Sequence, residues 1–432
     1  MKVKKLDIEK YLFFLMMSVT LPNPYLGTII AIFILSIKLL KSIRIPKLMF
    51  KNEILLLVIV SIGIMSFLVN YSHIQNLFWG LFTFSSFIIY PLILKYHYSE
   101  DKLENTFKLY LIVQGLFFFV QGIIKIIQNG SIDIFGVSID AGDVFVGTGY
   151  NSHQIALSIA FISFYFLNNY LSSMKHNYLF WYIISIIMFI LPSYVSSIII
   201  YFFTIILTFA IKFFISFINA KISKNNFKLA LFLIPGIIVM VITQIGNIYY
   251  GYNLITKIVS LSPPRKILAI QSTISDFSKE KWYIPIIGVG IGNYSSRAAF
   301  IVSGEYLRVQ PKWIPPTPSD YTKQYMIPLW NKELLASKPY MDGVSNQPFI
   351  QIQAIYGEMG LAGLILFFVV LTRMCFLTRI SKTNYMSWFL YLFCLGTLLL
   401  DMWIEYPSFA LFFWLFVINQ LYNPKLIMIN ST

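Results

Sequence analysis

The sequence predicts an all-α, polytopic integral membrane protein of about twelve transmembrane helices, with one large extracytoplasmic loop between the ninth and the tenth. Three observations lead there. The chain of 432 residues is 57% hydrophobic and only 12% charged, too apolar for a soluble domain of that length to hide. Its apolar residues fall in continuous blocks without the period-two alternation of a barrel strand, which leaves helices as the spanning form. Lys and Arg, finally, collect in every second gap between the blocks. In a soluble chain the net charge of +15 would point to nucleic acid; here it fixes orientation, and no nucleic-acid partner is expected.

The first block, 9–22, follows MKVKKLDIEK and has the charge and apolar run of a signal peptide. SVTLPNP offers no small-residue cleavage site and another apolar block follows at 25–41, so the segment is read as a retained first helix. Blocks at 53–70, 76–95, 106–128, 152–171, 177–192, 194–219 and 227–249 continue the series, and 349–372, 384–401 and 406–422 close it. Lys41, Arg44, Lys47 and Lys51 stand between the second and third blocks, and Arg373, Arg379 and Lys382 between the tenth and eleventh. The intervening short segments PNP, NYSHIQ, LPS and DMWIEYP carry no Lys or Arg. Positive residues stay inside, so both termini are expected in the cytoplasm. The one long hydrophilic stretch, 250–348, then falls outside it, within a single membrane-embedded domain, 1–432, that shows no internal repeat or low-complexity linker. Cys375 and Cys394 imply neither a disulfide framework nor cysteine-based metal chemistry.

That placement governs the stretch IPIIGVGIGNYSSRAAF, 284–300. Its glycines, Gly288, Gly290 and Gly292, resemble part of a phosphate-cradling loop, but the spacing is GxGxG, no amphipathic helix follows and nucleotides are cytoplasmic. A tight turn with close backbone approach is expected instead. The loop carries eleven Lys or Arg against six Asp or Glu, with aromatic and proline runs such as KWIPPTPSDY. A basic, aromatic concavity suits a lipid-linked diphosphate bearing sugar; a solvated loop that meets anionic head groups is the other reading. Arg265 follows two prolines in SPPRKILAI, and a cation at that interface is costly unless phosphate or carboxylate meets it. Arg297 and Arg308 lie further along the same loop.

In 130–157, Asp133, Asp140 and Asp143 have the chemistry of hard-cation ligands or of an ordinary acidic loop. His153 opens the sixth helix as either a general base or a polar helix-entry group. Glu358 lies within the tenth block in IYGEMGLAGLILFF, where an ionisable side chain is a functional residue by default and a structural pair is the alternative.

VGTGYNSHQIALSIA (146–160), PPRKILAIQ with IPIIGVGIGNY (263–294) and NQPFIQIQAIYGEMGLAGLILFF (346–368) together resemble the bacterial O-antigen ligases and the related O-antigen or capsule polymerases. The resemblance covers about a sixth of the chain, and the order and common side of its patches carry it. It implies a polyprenyl-diphosphate-linked oligosaccharide donor, used without nucleotide, cofactor or metal. Partners implied are membrane lipid, a chain-length regulator and a flippase, and the location is the bacterial cytoplasmic membrane. Arg265, Arg297 and Arg308 would bind the diphosphate. His153, Glu358 or Asp342 would supply the base, and Asn151, Asn346 and the three glycines would line the substrate. The histidine usual before the Asn…Gly stretch is replaced, GVSNQPF having Ser345 and Asn346, and a usual Ser-Arg pair reads Ser193-Tyr194. Both departures favour a divergent polymerase over a ligase; a lipid-linked oligosaccharide flippase ranks below either.

Overall fold

The computed structural model describes residues 7–20, 24–41, 51–94, 100–129, 145–149, 151–192, 194–218, 264–305, 315–331, 347–376 and 385–422. Its regular structure is helical, with no strand among the described residues. In chain order the helices are α1 (Asp7–Ser18), α2 (Pro24–Lys41), α3 (Lys51–Asn70), α4 (Ile74–Leu94), α5 (Glu100–Asn129), α6 (Ser152–Ser173), α7 (His176–Ile190) and α8 (Val195–Ile218). Then come α9 (Arg265–Ser275), α10 (Ile284–Ile287) and α11 (Arg297–Ser303), and last α12 (Gln351–Cys375), α13 (Tyr385–Leu400) and α14 (Pro407–Tyr422).

Each apolar block read from the sequence coincides with one of these helices, except 227–249, which lies outside the described residues. Five are long and apolar enough to cross a membrane: Ile74–Leu94, Leu103–Lys125, Ser152–Ser173, Ser196–Phe214 and Gln351–Cys375. Five more apolar segments are shorter, among them Ile54–Asn70, Tyr385–Leu400 and Pro407–Asn419. About 20 apolar residues cross a bilayer unaided, so the shorter helices depend on neighbours to complete their burial.

Burial separates central from peripheral helices. The spanning window of α6 is 78% buried, whereas that of α5 is only 33% buried and presents Leu116, Phe119 and Ile127 outward. An apolar stripe left exposed on a long helix is the face a bilayer covers. The centre is aromatic. Phe164 stacks on Phe389 with centroids 3.6 Å apart, and Phe161 and Phe107 meet Phe416 at 5.6 Å each. Such pairs add about 0.5–1.5 kcal/mol beyond area burial. Several polar atoms in the bundle are answered locally: Trp414 donates to the Phe87 carbonyl at 2.8 Å, Ser163 to the Tyr201 hydroxyl at 2.7 Å, and the Thr28 and Ser86 hydroxyls pair at 2.6 Å. In lipid an unanswered group would cost several kcal/mol.

The described part of the long loop packs into one end of the bundle. It meets the C-terminal half of α3, the N-terminal halves of α4 and α12, the end of α13 and the start of α14, through Ser66, Asn76, Gln353, Leu400 and Glu405. Thr148, before α6, reaches the Thr20 hydroxyl beyond α1 at 3.1 Å and is held by Gln114 of α5 at 2.7 and 2.9 Å. The helix ends flanked by cation-free segments in the sequence are thereby brought to the same end of the molecule.

Candidate functional site

The glycine stretch is the keel of this end. Val289 and Gly290 donate to the carbonyls of Gly357 and Glu358 at 2.9 and 2.8 Å, and the Gly288 carbonyl accepts from Ser66 at 2.7 Å and Asn70 at 3.3 Å. Gly288, Gly290 and Gly292 hold φ of +75°, +99° and +78°, and a β-carbon on Gly292 would stand 2.1 Å from the Asn76 carbonyl oxygen. Only glycine combines that conformation with that approach. The three Cα positions face protein backbone, of α12, α3 and α4 respectively. Opposite them α12 kinks at Gly360, φ +65° and ψ −170°, where a β-carbon would meet the Ile286 backbone at 2.2 Å.

Beyond the glycines the chain turns over two buried carboxylates. Glu358 Oε1 accepts from the amides of Tyr294 and Ser296 at 3.3 Å each. Glu405, in the 3₁₀ turn Trp403–Glu405, accepts from the amides of Arg297 and Ala298 at 3.2 Å each, and Gln351 reaches it at 3.5 Å. Ser296 caps α11 by accepting from Ala299 at 3.2 Å, so cap and carboxylate share the orphan amides of its first turn. Both glutamates are fully buried. Burial pushes the Glu405 carboxyl up to about 7, against the pull of the two amides and of Arg297.

Arg297 is 5% exposed, its guanidinium 3.7 Å from the centre of the Tyr406 ring and 5.3 Å from that of Tyr25. Cation–π contact of this kind is strong when desolvated. Asp401 lies within electrostatic reach of both Arg297 and Lys266, and burial raises its carboxyl against their pull. Lys266 donates to the Leu400 carbonyl, and burial lowers its ammonium to about 8 although Asp401 opposes this. Arg265, partly buried, opens α9 directly after Pro264, and Lys266 follows it at the edge of the cluster. Gln353 ties α9 to α12 by donating to Thr273 at 2.9 Å. An aromatic line continues from Tyr406 to Trp403 at 4.8 Å, Tyr194 at 6.0 Å and His153 at 3.9 Å, the last pair stacked.

Of the residues singled out from sequence, Glu358, Arg265, Arg297, His153 and the three glycines thus converge on one end of the bundle. Asn151 stands beside them as the N-cap of α6, its side chain accepting from the His153 amide at 2.8 Å. Arg308, Asp342 and Asn346 lie outside the described residues, as do Asp133, Asp140 and Asp143. Sequence reasoning passed over Lys266, Gln351, Asp401 and Glu405. The signal for the last two was present: DMWIEYP sets two carboxylates between apolar blocks, although it was noted only for its lack of cations. Chemically the cluster offers cations and a helix N-terminus at its edge, with carboxylates fixing the interior cation, and such an arrangement receives an anion.

Comparison with protein-family models, with curated proteins and with solved structures finds no match to this chain.

Proposed function

We propose that this membrane protein is a glycosyltransferase that joins preassembled oligosaccharide repeat units on the extracytoplasmic face of the bacterial cytoplasmic membrane, a divergent O-antigen or capsule polymerase. The reading rests on the resemblance of the three sequence patches and on one structural observation: Arg265, Lys266 and Arg297 gather with buried carboxylates at the end of the bundle that the charge pattern puts outside.

In this reading the donor glycan is linked through its anomeric carbon to polyprenyl diphosphate. The acceptor hydroxyl oxygen forms a bond to that carbon while the bond to the diphosphate oxygen breaks, and the leaving diphosphate takes the electron pair. Arg265, with the first amides of α9, meets the growing negative charge, and Lys266 adds a second cation. Arg297, stacked between aromatic rings beside Glu405 and Asp401, fixes the loop that carries the site and completes the field. The acceptor proton passes to a base, for which His153 and Glu358 are the described candidates. Low dielectric near lipid strengthens each of these interactions.

A transporter would call for polar residues along a path through the bundle, whereas the contact between α6 and α13 is filled by Phe161, Phe164, Phe389 and Phe393, in stacked and edge-on pairs. The test is Arg265→Ala in cells. Surface glycan should collapse toward single repeat units, by about tenfold or more in polymer content, with the protein still in the membrane. Chain lengths unchanged from wild type would sink the assignment of the diphosphate site.

A further inference from the structure

A second feature lies beside the segment 293–297. Between the turn that joins α3 to α4 and the segment 318–321 opens a cleft of ≈ 400 Å³, lined by Asn70, Ser72, His73, Asn293, Asp320 and Tyr321, with Tyr71 beside them. That volume falls within the roughly 300–1,000 Å³ of pockets that bury a small organic ligand.

Its walls are built. Asn70 accepts from the Tyr283 hydroxyl at 2.9 Å and the Tyr321 hydroxyl at 3.4 Å, and donates to the Ser66 carbonyl at 3.0 Å. Asn293 accepts from Asn76 at 3.0 Å and donates to the Val289 carbonyl at 3.0 Å. Ser319 and Thr322 both donate to the Asn293 carbonyl. With these groups occupied by one another, the polar groups of the rim are exposed His73, half-buried Ser72, which accepts from Asn76 at 3.4 Å, and exposed Asp320, one of whose carboxylate oxygens pairs with Lys323 at 3.3 Å. Tyr71, 86% exposed, holds φ +26°, a conformation that a side-chain-bearing residue keeps only where its surroundings impose it.

The lining differs from the cationic cluster in kind. No Lys or Arg is among the lining residues, and the two ammonium groups at its edge are already engaged, Lys323 with Asp320 at 3.3 Å and Lys281 with the hydroxyls of Tyr283 and Tyr321. A carboxylate, a hydroxyl, an imidazole and phenol rings instead offer acceptors and donors to a ligand with many hydroxyls, together with aromatic surface for its C–H faces. The two sites share a wall: Asn293 lines the cleft, and Tyr294 and Ser296 donate to Glu358 just before Arg297. Four residues of chain span at most roughly 14 Å, about the reach of a short oligosaccharide.

From this we infer that the His73–Asp320 cleft holds the acceptor, a neutral oligosaccharide bound through its ring hydroxyls, apart from the diphosphate end of the donor. The identity of the ligand as acceptor rests on the glycan-transfer reading; the class of ligand rests on the lining. The experiment is saturation-transfer NMR on the full chain in lipid nanodiscs. The probe is a size-fractionated neutral fraction from mild-acid hydrolysis of the source cells' surface polysaccharide, with inorganic pyrophosphate as competitor.

Sugar ring protons should receive saturation. The signal should fall about tenfold in Asp320→Ala and in Ser72→Ala, and stay within twofold in Arg265→Ala and in excess pyrophosphate. Asp320 is fully exposed, so its loss leaves the fold intact. Absence of transfer to the fragment, wild-type binding by both cleft variants, or displacement by pyrophosphate would each overturn the inference. If cells lacking the protein keep their polymer while the cleft still binds the fragment, the transfer reading falls and the glycan site stands. If polymer is lost but the fragment does not bind, the cleft assignment alone falls.

Discussion

Glu405 is the residue on which the buried cluster turns, because it answers the first amides of α11 and faces Arg297 at the same time. Its carboxyl lies at about 7 in the fold against 4.5 ordinarily. The stability it adds is therefore complete below pH 4.5 and is lost as the pH rises through about 7. Asp401, raised as well, acts in the same direction. Lys266, lowered to about 8, acts oppositely and only above that pH, where its neutral form prevails and the cost of burying its charge is relieved. The purified protein should thus melt at higher temperature at pH 5 than at pH 7.5, by a free energy of up to roughly 3 kcal/mol from Glu405. Glu405→Gln should flatten that dependence. A wild-type melting temperature that is level or rises between pH 5 and 7.5 would remove the electrostatic description of the cluster. Glu358 was visible in the sequence because it interrupts a long apolar block. Glu405 was not, because its importance lies in which amides it meets, and those belong to residues more than a hundred positions away.

At the scale of the element, two sequence motifs have defined mechanical duties. The GVGIG stretch threads between α3, α4 and α12 on three positive-φ glycines, and Gly360 kinks α12 to admit it. Gly292→Ala should cost several kcal/mol, from a left-handed φ and a contact of 2.1 Å with the Asn76 carbonyl, and should abolish monodisperse protein on size exclusion. Recovery of Gly292→Ala at wild-type yield would show that the loop does not sit where it is described. Asn151 separates a cap from a substrate ligand. As N-cap of α6, Asn151→Ala should lose about 1 kcal/mol while Asn151→Asp, which keeps the accepting oxygen, should behave as wild type in both melting and polymer length. Loss of polymer in a well-folded Asn151→Asp would assign the side chain to substrate instead. The turn role of the glycines was legible because GxGxG lacks the spacing of a phosphate loop; the kink that receives them was not, since Gly360 reads in sequence as an ordinary small residue on a packing face.

For the whole molecule, hydropathy placed α1–α8 and α12–α14 well, because each lies in an apolar block that lipid or core must take up, while α9–α11 lie in the long hydrophilic stretch and escaped it. Among the described residues five helices are long enough to cross alone, and a shorter one such as Tyr385–Leu400 is buried on one side by packing that a hydropathy run does not reveal. Orientation is testable directly. Trp282 is 82% exposed at the loop end, Lys175 is exposed before α7, and the native Cys375 and Cys394 are buried, so background labelling is low. Trp282→Cys should react with a membrane-impermeant maleimide added outside the cytoplasmic membrane, and Lys175→Cys only after permeabilisation; the reverse pattern would invert the topology.

The joining of repeat units is tested most directly by the surface glycan of cells lacking this protein, resolved on a gel beside the lipid-linked pool. Loss of the long ladder, with single repeat units remaining on their polyprenyl carrier or transferred alone to the core, is the expected result. A full ladder, long polymer stranded on polyprenyl diphosphate, or units trapped on the cytoplasmic face would contradict it, the second in favour of a ligase and the third in favour of a flippase.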